Sequence, residues 1–281
     1  MAGNIYSGQT RGMSIGNVLN LTVRAITTNP LLLIGTAFVI NGLPQGLLAF
    51  FQAGGFMGMR ELAEQIGTGV ISPLTIIGFS LLSLLIFIPL ALIGQAIMIR
   101  AAMSGANGTV ATFGECIGAA MPCVLPLLGL GILTGLAIMF GLLLLVVPGI
   151  FLILMWHVAQ PALVVERLGV TEAMERSAEL TRDARWLILL LVIILAVIGF
   201  VIGMVFNMIG LAIGAMSGGF SPGAMTGGGV PAGLTIGLGI TGALSNTITG
   251  LLAAVLPTAL YVELVNWKEG GSGEKLDQVF A

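Results

Sequence analysis

The chain has 281 residues, of which 57% are hydrophobic and only 8% charged, with a mean hydropathy of +1.10 and a formal net charge of −2. A soluble domain carries about 25% charged residues, so the composition excludes a water-exposed surface over most of the chain and predicts an integral membrane protein. The slightly acidic balance gives no basic footprint for a nucleic-acid partner, and the 42 glycines point to close helix packing.

In chain order, Ser14 to Thr28 places Ile15, Val18, Leu19, Thr22 and Ile26 at helical spacing. That pattern suits an amphipathic helix lying in the headgroup region or one packed over the ends of the membrane bundle. Residues 1–29 thus form an N-terminal amphipathic segment. Arg11 and Arg24 precede a full-length span rather than a short apolar core, so no cleavable signal is expected. Asn29-Pro30 then starts a helix, with a capping residue followed by proline at the first helical position.

The first span is predicted at 30–51, followed by a glycine-rich connector in which Met59 to Ile66 offers a short helix. The second span covers about 71–98 and ends at Arg100, which can snorkel to the interface. Ala101 to Met121 reads as a polar loop holding Glu115 and Cys116. Cys116 and Cys123 lack Cys, His or carboxylate company at metal-ligand spacing, so they read as unpaired cysteines and no metal is predicted.

From Val124 to Trp156 the chain is almost uninterruptedly apolar, too long for one crossing of about 20 residues. Splitting this run at Pro148-Gly149 gives spans at 124–147, 150–165, 185–215 and 232–265, six in all within a membrane domain of residues 30–265. Arg11, Arg24, Arg100, Arg167, Arg176, Arg182, Arg185, Lys268 and Lys275 then fall on one side and only Arg60 on the other. Left unsplit, the run would move the island of four arginines outside and break the positive-inside rule. Six spans with both termini cytoplasmic are therefore expected, residues 266–281 forming a cytoplasmic tail. The fourth span is short and interrupted by Gln160-Pro161, which favours an internal position. Residues 216–233, without charge, read as a flexible external loop.

Between spans four and five lies the one long charged island. Thr171 is placed to cap a helix on which Ala173, Ser177, Leu180 and Ala184 form one small apolar face. Glu172 and Arg176 stand four apart in the favourable order for an ion pair, and Glu179 and Arg182 can pair at three. The expected element is a cytoplasmic amphipathic helix. It is either a solvated connector, a cationic hydroxyl-lined site for a phosphate or lipid headgroup, or a protein-docking surface. For the headgroup reading the candidates are Glu166, Glu172, Arg176, Ser177, Thr181 and Arg182, with Glu172 orienting Arg176.

The run Pro148-Gly149-Ile150, Trp156, Pro161, Glu166, Ala173, Arg176-Ser177 and Leu180-Thr181 resembles a bacterial family of six-span membrane proteins. That family includes the membrane domain fused to some glycerophosphoryl diester phosphodiesterases, and stand-alone proteins. The opening from Ser14 to Pro30 is similar to the family's own, whereas Asp183 stands where the family usually has glycine. The resemblance implies an all-α membrane fold and a place in the bacterial cytoplasmic (inner) membrane. With no phosphodiesterase domain present, it implies no activity.

Enzymatic motifs fail on context. Gly12-x-Ser14-x-Gly16 and Gly219-x-Ser221-x-Gly223 have no α/β sheet around them. Gly237-x-Gly239-x-x-Gly242 lies inside a span without a strand or ribose-binding acid. Neither an enzyme nor a cofactor is predicted. Polar residues at membrane depth carry more information, since each is costly unless paired: Asn41, Gln45, Gln95, His157, Gln160, Asn207 and Asn246. They read either as interhelical hydrogen bonds or as a cavity lining, with His157, Gln160, Asn207 and Asn246 between spans 4, 5 and 6. The leading expectation is a non-enzymatic scaffold or regulatory protein presenting the 166–185 helix to lipid headgroups or a cytoplasmic partner. The competing one is a transporter or lipid-translocating protein. Small residues at four-residue spacing, such as Gly210/Gly214 and Gly233/Gly237, permit close helix contacts within one chain or in a homo-oligomer.

Overall fold

A computed structural model describes residues 13–52, 67, 72–216 and 232–280, all of them helix, turn or short connection with no strand among the described residues. Six helical stretches are long and apolar enough to cross a membrane: Pro30–Phe50, Leu81–Ala106, Phe113–Leu144, Val146–Glu166, Arg185–Met216 and Gly233–Gly270. The protein is an all-α, multi-pass membrane protein.

Helix α1 (Ile15–Thr28) buries Val18, Thr22 and Ala25 along one face. Of its two expected placements, the structure takes the one over the bundle's end. Ala25 rides against Gly105, and Glu263 accepts hydrogen bonds from the Ser14 amide (3.3 Å) and the Asn17 side chain (3.0 Å). The first span is α2 (Pro30–Ala37), a π-helical turn (Phe38–Gly42) and α3 (Leu43–Gln52). The second is α4 (Pro73–Ala106), which starts from Ser72 accepting the Thr75 amide at 3.2 Å.

Downstream come α5 (Phe113–Ala120), a 3-10 turn (Met121–Cys123), α6 (Val124–Leu144), α7 (Val146–Met155) and α8 (Ala159–Glu166). The charged helix is α9 (Val170–Thr181), and the last two spans are α10 (Arg185–Met216) and α11 (Ala232–Phe280).

Packing is uneven along the membrane normal. Both buried apolar clusters gather at the end that carries α1, α9 and the arginines. One is built on Ile97–Ala102, Cys116, Leu127 and Leu163, the other on Val158, Leu180, Ile188 and Leu260. Toward the opposite end more apolar side chains face outward. The first half of α4 exposes Leu74 and Leu85, and the α6–α7 tip exposes Leu143 to Val147. Aliphatic side chains facing outward at membrane depth match the apolarity of lipid tails and need no protein cover. The most enclosed span is the sixth, followed by the fourth (61% and 39% of their apolar windows buried, against 11–28% elsewhere). Helix α11 is the mast against which α1, the first span, α4 and α10 pack.

Several boundaries differ from the expectation. The polar loop at 101–121 is mostly helical. Helix α4 runs to Ala106, and Thr112-x-x-Glu115 forms a capping box that opens α5, with the Thr112 amide donating to Glu115 Oε2 at 3.1 Å. The long apolar run breaks at Leu145 (φ −159°, ψ 136°), three residues before Pro148. Proline is tolerated in a first helical turn, where its missing N–H has no intrahelical acceptor, so Pro148 sits just inside α7. Gly149 instead serves close approach, since a Cβ there would meet Leu142 N at 2.8 Å.

The fourth span, expected as one helix over 150–165, is two. It breaks at Trp156–Val158, and Pro161 again falls in a first turn, that of α8. Helix α9 starts from Gly169 rather than Thr171. The segment expected as a tail after residue 265 continues as α11 to Phe280. The short helix expected at Met59–Ile66, Arg60, and residues 217–231 of the external loop lie outside the described residues.

Candidate functional site: the polar end of the bundle

Helix α9 is polar overall, and solvated ion pairs would hold it weakly, at under about 1 kcal/mol each. It is fixed by its small-residue face instead: Ala173, Ser177, Leu180 and Ala184 are all fully buried. The hydroxyls on that face solve a problem created by the broken fourth span. Met155 ends α7, so its carbonyl has lost its intrahelical partner. Ser177 Oγ donates to that carbonyl at 2.8 Å, and Thr181 Oγ1 lies 3.2 Å from it. Ser177 and Thr181 are therefore consumed inside the fold, and the expectation that they line an open headgroup site is corrected.

Removing both hydroxyls, as Ser177→Ala with Thr181→Val, leaves a buried carbonyl without a donor and should cost about 1–3 kcal/mol. Thr181→Val alone should cost little, because Ser177 still donates. Denaturant unfolding in lipid nanodiscs checks both values. Equal losses in the single and double variants would overturn the shared-acceptor account.

Arg176 is held from the other side. Its Nε donates to Glu166 Oε1 at 2.9 Å, while an Nη donates to Glu269 on α11. The same Glu166 oxygen accepts the hydroxyl of Tyr261. Partial burial works against the charge, but the hydrogen bonds and charges of Glu166 and Glu269 raise the Arg176 pKa above its ordinary value. Glu166 is placed by the end of α8, where Arg167 closes the helix in a left-handed conformation (φ 57°) that costs a non-glycine residue roughly 1–2 kcal/mol.

Glu172 does not orient Arg176. It turns back to the helix start and accepts the Gly169 amide at 2.9 Å. An arginine already flanked by two carboxylates has no charge left over for a phosphate. The expected Glu179–Arg182 pair is replaced by Lys268, whose Nζ reaches the Glu179 carbonyl at 2.6 Å and Asp183 at 2.9 Å. That ammonium, reinforced by Arg182 and Arg185, holds the Asp183 carboxyl below its ordinary pKa. Arg182 is exposed, and its main-chain N–H donates to the Glu179 carbonyl at 3.4 Å. Glu172, Glu175, Glu179 and Asp183, at spacings of three, four and four, make the outward face of this helix and the following turn acidic and exposed.

The membrane-depth candidates do not converge. His157 lies in the turn between α7 and α8, its buried Nε2 without a hydrogen-bond partner among the described residues. Gln160 accepts from Gln95 of α4 at 3.2 Å. Asn207 is exposed on α10. Asn246 lies across α11 beside Asn41 of the first span. The four therefore have different surroundings: Gln160 is paired with α4, Asn207 is exposed on α10, and Asn246 faces the first span.

Four side chains that organise this end were not singled out as site residues. Asn29 staples the α1–α2 junction to the end of α4, Glu263 anchors α1, and Tyr261 and Glu269 complete the Arg176 clamp. For Glu263 and Glu269 the signal was available, since they are the acids at the polar end of an otherwise apolar span. For Tyr261 and Asn29 nothing local in sequence distinguishes them. No protein-family model, curated protein or solved structure matches this chain.

Proposed function

We propose that this is a non-enzymatic scaffold or regulatory protein whose polar end holds α9 as a rigid docking element for a partner protein at the membrane surface. The supporting observation is the asymmetry of α9. Its inner side is tied down by the Met155 carbonyl and by the Glu166–Arg176–Glu269 clamp, and Lys268 holds its end through the Glu179 carbonyl and Asp183, while its outer side offers the exposed carboxylates of Glu172, Glu175 and Glu179. Fixing a helix in advance lowers the ordering cost that a partner would otherwise bear on binding. An acidic row suits a basic protein surface, and it would repel anionic headgroups.

By the positive-inside rule the arginines gathered at this end support a cytoplasmic face for α9, and the resemblance carried by Pro148 to Thr181 supports a bacterial inner membrane. A photo-crosslinking residue at Glu175 in native membranes tests the reading. One discrete protein adduct is expected, lost when the neighbouring Glu179, whose carboxylate is exposed, is reversed to lysine and kept when Asn207 is changed to leucine. Adducts insensitive to that reversal would sink it.

A further inference from the structure

The π-helical turn Phe38–Gly42 interrupts the first span at its midpoint. Such turns insert a residue into the helical ladder and are frequent at functional sites. Here the turn carries Ile40 and Asn41 into an outward-open cleft of ≈480 Å³ against α11, completed by Asn246, Thr249, Gly250 and Ala253. Asn41 lies about 16 Å along the span from Pro30, near the middle of a hydrocarbon layer about 30 Å thick.

The Thr249 hydroxyl is spent within α11, donating to the Ser245 carbonyl at 2.9 Å, whereas the two asparagine amides keep hydrogen-bonding capacity. Asn41 Nδ2 reaches only the Ala37 carbonyl of its own helix (3.2 Å), and the Asn246 amide has no partner among the described residues. Gly250 leaves room for the Asn41 amide, since a Cβ there would meet it at 2.5 Å. Amides facing hydrocarbon without partners are costly, so an occupant that hydrogen-bonds to them is favoured. The six lining residues carry no formal charge, which disfavours an ionic headgroup. The volume lies in the range of small-molecule sites, about 300–1,000 Å³. The cleft is open on its outer side, so a lipid can enter it directly from the bilayer.

We infer that the cleft between the first and sixth spans is a binding site for an uncharged lipid carrying a hydroxyl or carbonyl group, held at mid-membrane by Asn41 and Asn246. The site is remote from α9 and does not depend on its role.

The test uses the full chain in phosphatidylcholine nanodiscs containing a diacylglycerol that bears a diazirine near its glycerol and a clickable alkyne. Adducts are expected on residues 38–42 and 246–253. They should fall about five- to tenfold in Asn41→Leu/Asn246→Leu, the loss expected from two weak membrane hydrogen bonds. Ala253→Phe, which fills the cleft and leaves both amides in place, should abolish labelling while the unfolding midpoint stays at the wild-type value. Labelling spread evenly over all spans, or unchanged in both variants, overturns the inference. So does efficient disulfide formation between two copies carrying Asn246→Cys, which would assign the cleft to a homo-oligomer.

Discussion

Asn29→Leu is expected to destabilise the protein by about 3 kcal/mol, chiefly through the main-chain groups it leaves behind. The side chain is buried, and its amide nitrogen donates to the carbonyls of Ala101 (3.3 Å) and Thr109 (3.2 Å). Its oxygen accepts the Ala111 amide at 3.0 Å. Leucine has the same branched shape and is somewhat larger, so no cavity opens and the loss is chiefly that of the hydrogen bonds. The Ala101 carbonyl stays within helical α4, so the groups left behind are the Thr109 carbonyl and the Ala111 amide, in the connection that leads to the capped start of α5. Hydrogen exchange should therefore quicken at residues 107–112 and in α1, which is tied to the same junction, before it quickens in α11. Unfolding measured in nanodiscs gives the magnitude. A variant as stable as the parent would show that the junction is held by apolar packing alone.

Gly237→Leu is expected to pull the fifth span away from the sixth. A Cβ at Gly237 would stand 2.7 Å from the Gly210 carbonyl oxygen and 3.2 Å from the Gly214 amide nitrogen. These are main-chain atoms of α10 and cannot swing aside, so the helices must separate. Overpacking of this kind costs about 1–3 kcal/mol where side chains can yield, and more where backbone is met. Helix α10 has little else to hold it, since apart from α11 it touches mainly α7. Its other faces are largely exposed, with Phe200, Met204 and Met208 turned outward. Gly203→Leu is the matched control, because nothing lies within 4 Å of a Cβ at that position. Disulfide trapping between cysteines placed at Gly199 and Thr249 should fail in the Gly237 variant and succeed in the Gly203 variant. Trapping in both would place the two spans in contact through other residues.

The two variants probe the two ways this bundle is held. At the polar end, buried side-chain hydrogen bonds satisfy carbonyls and amides that broken or ended helices leave over. At membrane depth, where apolar side chains gain nothing by leaving lipid, close backbone approach does the work. The buried clusters at the polar end and the outward-facing aliphatic side chains elsewhere follow from that division. They also explain why the α9 platform and the mid-membrane cleft lie in different parts of the molecule.

The sequence by itself determined the class and the number of spans. Hydropathy is a property of consecutive residues, so runs such as Trp186 to Met216 declare themselves without reference to anything else. The small-residue face of α9 was legible for the same reason, because helical spacing places Ala173, Ser177, Leu180 and Ala184 together. The capping box at Thr112 and Glu115 was present in the sequence too, hidden by the polarity of its surroundings. Tertiary structure alone decided what the polar side chains do. Glu166 meets Tyr261, Asn29 meets Ala101, Asn17 meets Glu263, and Asn41 shares a cleft with Asn246. Each pair is separated by 70 to 250 residues. A local rule paired Arg176 with Glu172, four residues away, while the folded chain offered Glu166 and Glu269. Glu172 was already committed to the Gly169 amide, an unpaired donor at the helix start that no neighbouring side chain could serve as well.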